Sequence, residues 1–168
     1  MGHQNKEGLS INGNDIAQIC LNGHLGNAYV NAASHRNKKF CPQCGEPEIM
    51  ACPGCQTRIR GKGHDMSSAL STYHVPAYCE GCGTAFPWTQ RAIMAAKEFA
   101  ELELTDEQDK EVFMQNVEGV TNDTPQTKVA ATKIFRILAK LSGPAKDTLQ
   151  GLIVNIASET AKKIILGQ

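Results

Sequence analysis

The sequence predicts an α+β protein, with short antiparallel hairpins in its N-terminal half and an all-helical region of about four helices after them. All seven cysteines lie between residues 20 and 82, and residues 89–168 contain none. Short apolar bursts separated by turns mark the first half, whereas apolar residues spaced three and four apart mark the second. The 17 basic and 17 acidic side chains balance, which disfavours a dedicated polyanion binder.

The N-terminal half reads as a series of short strands. Residues 1–14 are polar, lack the apolar stretch of a signal peptide and are expected to be flexible. The predicted strands cover residues 16–19, 28–30, 48–51 and 73–75. Residues 61–72 show no clear period and are predicted to form a flexible loop. Strands this short bury little apolar surface, so bound metal would help this half to fold.

Two helices are predicted directly after Trp88. The first runs from about Thr89 to Leu104, and its apolar face consists of Ile93, Ala96, Ala100 and Leu104. The second begins at Thr105, where the sequence Thr-Asp-Glu-Gln resembles a capping box with Gln108. Its stripe consists of Val112, Phe113, Asn116 and Val117.

Two further helices are predicted in the last third of the chain. The third begins near Pro125 and is closed by Gly143, with a face of Ala130, Ile134, Ile137, Leu138 and Leu141. The fourth begins at Pro144 and ends in Lys162 and Lys163, which suit the negative end of the helix dipole. Its apolar face consists of Leu149, Leu152, Ile153, Ile156, Ala157, Thr160 and Ile164.

Eight metal donors form four close pairs, which are Cys20/His24, Cys41/Cys44, Cys52/Cys55 and Cys79/Cys82. In the sequence Cys-Pro-Gln-Cys-Gly at 41–45, proline sets the turn and glycine takes the left-handed conformation, so both thiolates face one side. Tetrahedral zinc takes four nitrogen or sulfur ligands, and eight donors make two such sets. We therefore predict two Zn²⁺ ions per chain, although iron also suits thiolate-rich sites.

The spacing leaves more than one way to combine the pairs. Sequential pairing gives site 1 as Cys20, His24, Cys41 and Cys44, and site 2 as Cys52, Cys55, Cys79 and Cys82. A RING-like cross-brace would join the first pair to the third and the second to the fourth. A further scheme would join the second pair to the third. The seven residues between the second and third pairs favour the sequential scheme over the cross-brace.

The choice of His24 follows from the odd number of cysteines. Cys20 has no cysteine partner nearby, and His24 stands four residues after it. The competing histidines are His35, His64 and His74. We expect His64 to lie in the flexible loop and His74 to be a solvent-facing strand residue.

The functional prediction depends on each metal ion having four protein ligands. A metal with four protein donors has no position open for water, which argues against hydrolytic chemistry. We expect a non-enzymatic adaptor, with no catalytic residue and no membrane span. The metal module would present a rigid surface to a partner protein. The apolar fourth helix suggests that the helices dock on a partner or oligomerise.

Other functions compete with the adaptor. The basic clusters at residues 36–39 and 58–62 suggest a nucleic-acid-binding ribbon, with stacking on Tyr73, Tyr78, Phe86 and Trp88. Clusters this small are also ordinary on a solvated hairpin edge, and these rings also suit packing of the second ribbon. A ligase-like cross-brace module and a bacterial defence component are weaker alternatives.

Four segments carry a family resemblance: Gln-Ile-Cys-Leu-Asn-Gly-His at 18–24, and the cysteine segments at 38–45, 52–61 and 76–89. Together they resemble an uncharacterised family of bacterial zinc-ribbon proteins, known as a domain of unknown function. The likeness covers about residues 16–100. It implies a bacterial cytoplasmic protein with two zinc sites and no known activity, and a reducing cytoplasm suits paired thiols. The predicted domains are a double zinc-ribbon module at 15–88 and a helical region at 89–168.

Overall fold

A computed structural model describes residues 13–168 of the chain. Most of the segment predicted to be flexible, residues 1–12, lies outside the described residues. Asn14, which the sequence placed in that segment, begins the first strand. The chain divides into two compact units, one ending at Trp88 and one beginning at Thr89. Short antiparallel strands followed by helices confirm the predicted α+β class.

Five short strands form two small antiparallel sheets in the first unit. They are β1 (Asn14–Ile16), β2 (Gln18–Cys20), β3 (Leu25–Asn27), β4 (Glu48–Ile49) and β5 (Arg60–Gly63). One sheet pairs β1 with β5, and the other has the order β3-β2-β4. The sheets have only two and three strands, and sheets this narrow depend for stability on contacts with the surrounding residues.

Each of the three Cys-x-x-Cys turns closes in the same way. One antiparallel bridge flanks each turn, and the bridges join Phe40 to Pro47, Ala51 to Arg58 and Tyr78 to Ala85. Inside each turn, the residue after the second cysteine donates its N–H to the carbonyl of the first, over 2.8 to 2.9 Å. That residue has a positive φ in all three turns: 74° at Gly45, 62° at Gln56 and 72° at Gly83. The three turns therefore share one backbone conformation.

The structure corrects the prediction of a loop at residues 61–72. This segment contains most of β5 and a helix, α1 (Met66–Leu70). Asp65 begins the helix, and its side chain accepts the N–H of Ser68. The predicted strands at 28–30 and 73–75 are not strands, and the first predicted strand divides at Ala17 into β1 and β2.

The first unit has a small core around the cysteine turns at 52–55 and 79–82. Its buried members are Ala17, Ile19, Cys52, Ile59, Cys79, Phe86 and Trp88. The rings of Phe86 and Trp88 stack with centroids 4.5 Å apart, and the indole N–H of Trp88 donates to the carbonyl of Pro76. Two cysteines thus belong to the core itself, which couples the burial of apolar surface to the position of the thiols.

The second unit consists of helices. They are α2 (Pro87–Glu103), α3 (Glu107–Asn116), α4 (Thr127–Leu138), α5 (Gly143–Ile156) and α6 (Glu159–Ile165), with a 3₁₀ turn at Glu118–Val120. The first two residues of α2 belong to the first unit. The predicted face of the first helix is buried at all four positions. Among the helices of residues 13–168, none is long and apolar enough to cross a membrane.

Several helix ends differ from the prediction. The cap of α3 is Asp106, which accepts the N–H of Asp109, so the predicted capping box at Thr105 was wrong. Helix α4 begins two residues after Pro125, at Thr127. Gly143 begins α5 with a φ of 62° instead of closing α4, which ends at Leu138.

The predicted fourth helix is divided into α5 and α6. Ala157 and Ser158 have extended ψ angles of 142° and 162°, and Ser158 caps α6 by accepting the N–H of Ala161. The N–H of Ser158 donates to the carbonyl of Val120, a tertiary bond that a continuous helix would not form. The break also changes the helix phase, so Ala161 and Ile165 are buried, whereas the predicted Ile164 is half-buried.

A single apolar core holds the second unit together. Its largest fully buried side chains are Phe113, Ile134, Leu138, Leu149, Ile153 and Ile165, with Val117 and Val120 beside them. The apolar side of α5 and α6 is used within this core. The apolar character that suggested oligomerisation is therefore accounted for within the chain.

Candidate metal centres

Two groups of four donors are brought together in the first unit. Centre 1 consists of Cys20, His24, Cys41 and Cys44, and centre 2 consists of Cys52, Cys55, Cys79 and Cys82. Within each group, one donor atom from every residue lies within 4.8 Å of the others. The grouping is sequential, so the cross-brace and the pairing of the second with the third pair are not the arrangement in the structure.

Centre 1 joins a strand end to a turn. Cys20 ends β2, and its N–H donates to the carbonyl of His24, which lies in the turn before β3. The His24 N–H lies 3.3 Å from Cys20 Sγ and donates to it. Gly23, with a φ of 85°, lets the chain reverse between these two ligands. The remaining two donors come from the turn at 41–44.

A side-chain clamp positions that turn against β2. The Gln18 amide donates to the carbonyl of Lys38 over 2.6 Å and accepts the N–H of Lys38 over 3.1 Å. Gln18 is buried, so both of its polar atoms depend on this pairing. The clamp fixes the chain three residues before Cys41 and was not predicted from the sequence.

Centre 2 is built from two turns of the same geometry. The N–H of Gly81 donates to Cys79 Sγ over 3.3 Å, as expected where a turn surrounds a thiolate. The hydroxyl of Thr57 lies 3.2 Å from Cys55 Sγ, and that of Thr84 lies 3.4 Å from Cys82 Sγ. Each hydroxyl can donate to a thiolate, which would offset the negative charge of the sulfur.

The distances between donors fit a tetrahedral ion. A zinc–sulfur bond of about 2.3 Å makes the sulfur–sulfur edge of a tetrahedron about 3.8 Å, and a shorter zinc–nitrogen bond makes the sulfur–nitrogen edge about 3.6 Å. The sulfur–sulfur distances are 3.7 Å for Cys20–Cys44, 3.8 Å for Cys52–Cys82 and 3.6 Å for Cys55–Cys79. Nδ1 of His24 lies 3.5 Å from the sulfurs of both Cys20 and Cys41. Both groups could therefore hold a metal ion, with Nδ1 as the histidine ligand.

Each cysteine pair has a buried and an exposed member. Cys41, Cys52 and Cys79 are buried, as is Cys20, whereas the second cysteine of each turn is exposed. Burial raises the pKa of Cys79 to about 11. The Thr84 hydroxyl and backbone N–H lower the pKa of Cys82 to about 6. In the absence of metal, Cys82 therefore loses its proton before Cys79, and metal binding must displace the proton of Cys79.

The competing histidines take no part in either donor group. His64 instead lies with Nε2 3.6 Å from the Oδ2 of Asp15, a carboxylate that is only 1% exposed. Burial alone would raise the pKa of Asp15, but N–H groups of Asn31, Ile16 and Ala32 donate to it and hold its pKa below the ordinary value. Asp15 therefore ties β1 to residues 31 and 32 and contributes to the scaffold of the first unit.

Comparison with known proteins gives a family and no activity. Residues 13–165 match the model of a family described as "Uncharacterized protein conserved in bacteria (DUF2321)". The chain belongs to this family. The match covers both units, whereas the resemblance seen in the sequence covered only about residues 16–100. No curated protein and no solved structure matches the chain.

The family match includes the helical unit as well as the two candidate metal centres. DUF2321 covers the metal centres together with all five helices of the second unit, from α2 to α6. The helical unit is therefore part of the family's own architecture and not an unrelated addition.

Proposed function

We propose that this chain is a non-enzymatic adaptor whose two metal centres hold zinc and whose folded surface binds a partner protein. The observation that supports the proposal is the convergence of eight donors into two four-donor groups with tetrahedral edges. With protein donors at all four positions of each ion, the metals would serve the fold and not a reaction.

The helical unit would supply further docking surface. Met94 and Leu102 of α2 are 59% and 81% exposed, and they lie eight residues apart on one helix face. The two residues are about 12 Å apart along the helix, so both are available for contact with a partner or a second copy.

X-ray absorption on the purified chain tests the metal part of the proposal. We expect two zinc ions per chain, coordinated by seven sulfurs and one nitrogen in total. Any metal-bound oxygen would restore the case for catalysis. Iron in place of zinc, or a single ion, would contradict the proposed metal content.

Affinity purification tests the adaptor part. The tagged chain is recovered from a bacterium that encodes it, beside a variant in which Cys41→Ser and Cys52→Ser disrupt both centres. We expect a partner that the native chain retains and the variant loses. A monomer by light scattering that retains no partner would count against an adaptor.

Nucleic-acid binding remains the second candidate, because Phe40 is 59% exposed directly after Lys38 and Lys39. Other parts of that hypothesis lose support. Phe86 and Trp88 are buried, and Arg60 pairs with Glu80. Filter binding of DNA and RNA at increasing salt concentrations distinguishes the candidates, since binding through phosphates weakens steeply with salt.

A further inference from the structure

A cavity of about 270 Å³ opens in the first unit beside centre 2. Its walls include Ile59 and Phe86, which are 1% and 3% exposed, and the rings of Tyr73 and Tyr78. This volume suits one ring-bearing or branched side chain, and aromatic walls suit an aromatic ring. Neither metal centre needs the cavity, since all eight donors are already grouped.

The interior of the cavity is unsuited to an anion. The hydroxyl of Tyr73 donates to the carbonyl of Arg60, and burial together with the charge of Glu80 raises the pKa of Tyr73 to about 12. Cys79 also lines the cavity, and four thiolates around one divalent ion leave centre 2 with a formal charge of −2. The interior therefore disfavours an anion, and its buried apolar walls favour an uncharged side chain.

The rim of the cavity carries a cation without an ion-pair partner. Arg60 pairs with Glu80, but among residues 13–168 no acidic side chain pairs with Arg58. Arg58 is exposed, and it lines both this cavity and a second hollow of about 370 Å³. An arginine at the edge of an apolar pocket is well placed for a two-pronged contact with a carboxylate.

We propose that this cavity binds a peptide segment of the partner protein, with an aromatic or large aliphatic side chain inside and an adjacent Asp or Glu paired with Arg58. The proposal rests on the adaptor function proposed above and names the chemistry that its partner must present. Aromatic anchors and arginines dominate the binding energy of many protein interfaces.

The charge of the first unit favours a peptide over a nucleic acid. Residues 13–88 carry six basic and five acidic side chains, and seven thiolates with two divalent ions add three negative charges when both centres are loaded. The loaded unit is therefore net negative and would repel a chain of phosphates. A peptide needs to bring only one carboxylate, at the position of Arg58.

Selection from a random peptide library on the metal-loaded full chain tests the proposal. We expect enriched peptides to carry an aromatic or large aliphatic residue beside Asp or Glu. Arg58→Glu is expected to weaken a selected peptide at least tenfold in fluorescence anisotropy, and a peptide with Lys in place of its acidic residue should recover affinity for that variant. The matched control is Arg36→Glu, which changes the charge equally but lines neither hollow; it should leave binding within twofold.

The remaining outcomes overturn the proposal. Both variants are first checked for two ions per chain, and Arg58→Gln replaces Arg58→Glu if the latter loses metal. No enriched sequence, a basic consensus, or equal effects of Arg58→Glu and Arg36→Glu would contradict it. Binding of labelled oligothymidylate that Arg58→Glu abolishes would assign the cavity to nucleic acid. A purified partner that binds Arg58→Glu as tightly as the native chain would overturn this docking site but leave the adaptor function standing.

Discussion

At the scale of single residues, the three Cys-x-x-Cys turns differ at one position. Gly45 and Gly83 occupy the left-handed conformation, which glycine adopts without penalty, but Gln56 occupies it in the turn at 52–55. A side chain in this region costs about 1–2 kcal/mol. The Gln56 amide donates to the carbonyl of Pro53 over 3.3 Å, a long bond on an exposed side chain that recovers little of that cost.

Replacing Gln56 by glycine should therefore stabilise the first unit. We expect Gln56→Gly to raise the free energy of unfolding by about 0.5–1 kcal/mol, because the strain is removed while the unfolded chain gains some freedom. Guanidinium unfolding at a fixed free zinc concentration measures the change. The opposite substitution at the equivalent position of the turn at 79–82, Gly83→Gln, should destabilise the first unit by a similar amount. A shift of the same sign in both variants would show that φ at this position is not the cause.

Thr84 gives a second prediction at this scale, because its hydroxyl, followed by its backbone N–H, lowers the pKa of Cys82 to about 6. We expect Thr84→Val to weaken metal binding at centre 2 about tenfold, as for other losses of a partner behind a metal ligand. The native thiolate persists as pH falls from 8 towards 6, whereas in the variant a thiol of more ordinary pKa is protonated across this range. The deficit in metal affinity should therefore grow as the pH falls from 8 to 6.

Competition with a chromophoric chelator at pH 8, 7 and 6 measures that deficit. Thr132→Val is the control, since its hydroxyl donates to the carbonyl of Lys128 on α4, in the other unit. An unchanged affinity for Thr84→Val at every pH would show that the hydroxyl does not support the thiolate.

At the scale of elements, helix faces could be predicted from the sequence, but several helix ends could not. Periodicity identifies Ile93, Ala96 and Ala100 because burial repeats along a helix every three to four residues. The break at Ser158 depends on a bond to Val120, 38 residues earlier in the chain, and no local pattern reports such a bond.

The same distinction applies to the candidate site. The four close pairs could be predicted from the sequence, because two cysteines on one tight turn must face one ion. The spacing between pairs favoured the sequential combination but left the other schemes open. The clamp between Gln18 and Lys38 and the buried Asp15 join residues 16 to 20 positions apart. They belong to the tertiary structure and gave no signal in the sequence. Asp65 was different, since an Asp before a short helix is a recognisable cap signal that the prediction of a loop passed over.

Helix α6 offers a prediction at this scale. Ser158→Ala removes the side-chain cap of α6 and should lower the free energy of unfolding of the second unit by about 1 kcal/mol. Ser142 is the matched control, because it precedes α5 but makes no side-chain cap bond. Thermal unfolding of both variants should show a loss for Ser158→Ala and little change for Ser142→Ala; equal losses would mean that the cap is not responsible.

At the scale of the whole molecule, the two units have different sources of stability. The first has a core of seven buried residues, two of them cysteines, and narrow sheets. The second has a core of seventeen buried residues and no cysteine. Since metal binding to ligands that are assembled only in the folded state adds to folding energy, only the first unit should depend on metal.

Removal of metal should therefore unfold one unit and spare the other. With excess chelator, we expect the slow amide exchange of residues 14–88 to be lost while that of residues 107–165 persists. Hydrogen exchange with mass spectrometry separates these segments, and added zinc should restore the protection. Loss of protection throughout the chain would show that the helical core is not stable without the metal unit.

The sequential order of the donors has a consequence for how the protein is made. All proposed ligands of centre 1 lie within residues 20–44, so their synthesis is finished before the first ligand of centre 2 is added to the chain. An ion captured at that stage closes a loop of only about 25 residues, which carries a small entropy cost. In the cross-brace, Cys20 and His24 would have remained without their full set until Cys55 was made, and Cys41 and Cys44 until Cys82 was made, exposed to oxidants and to mispairing. The nascent chain can instead complete each centre in turn.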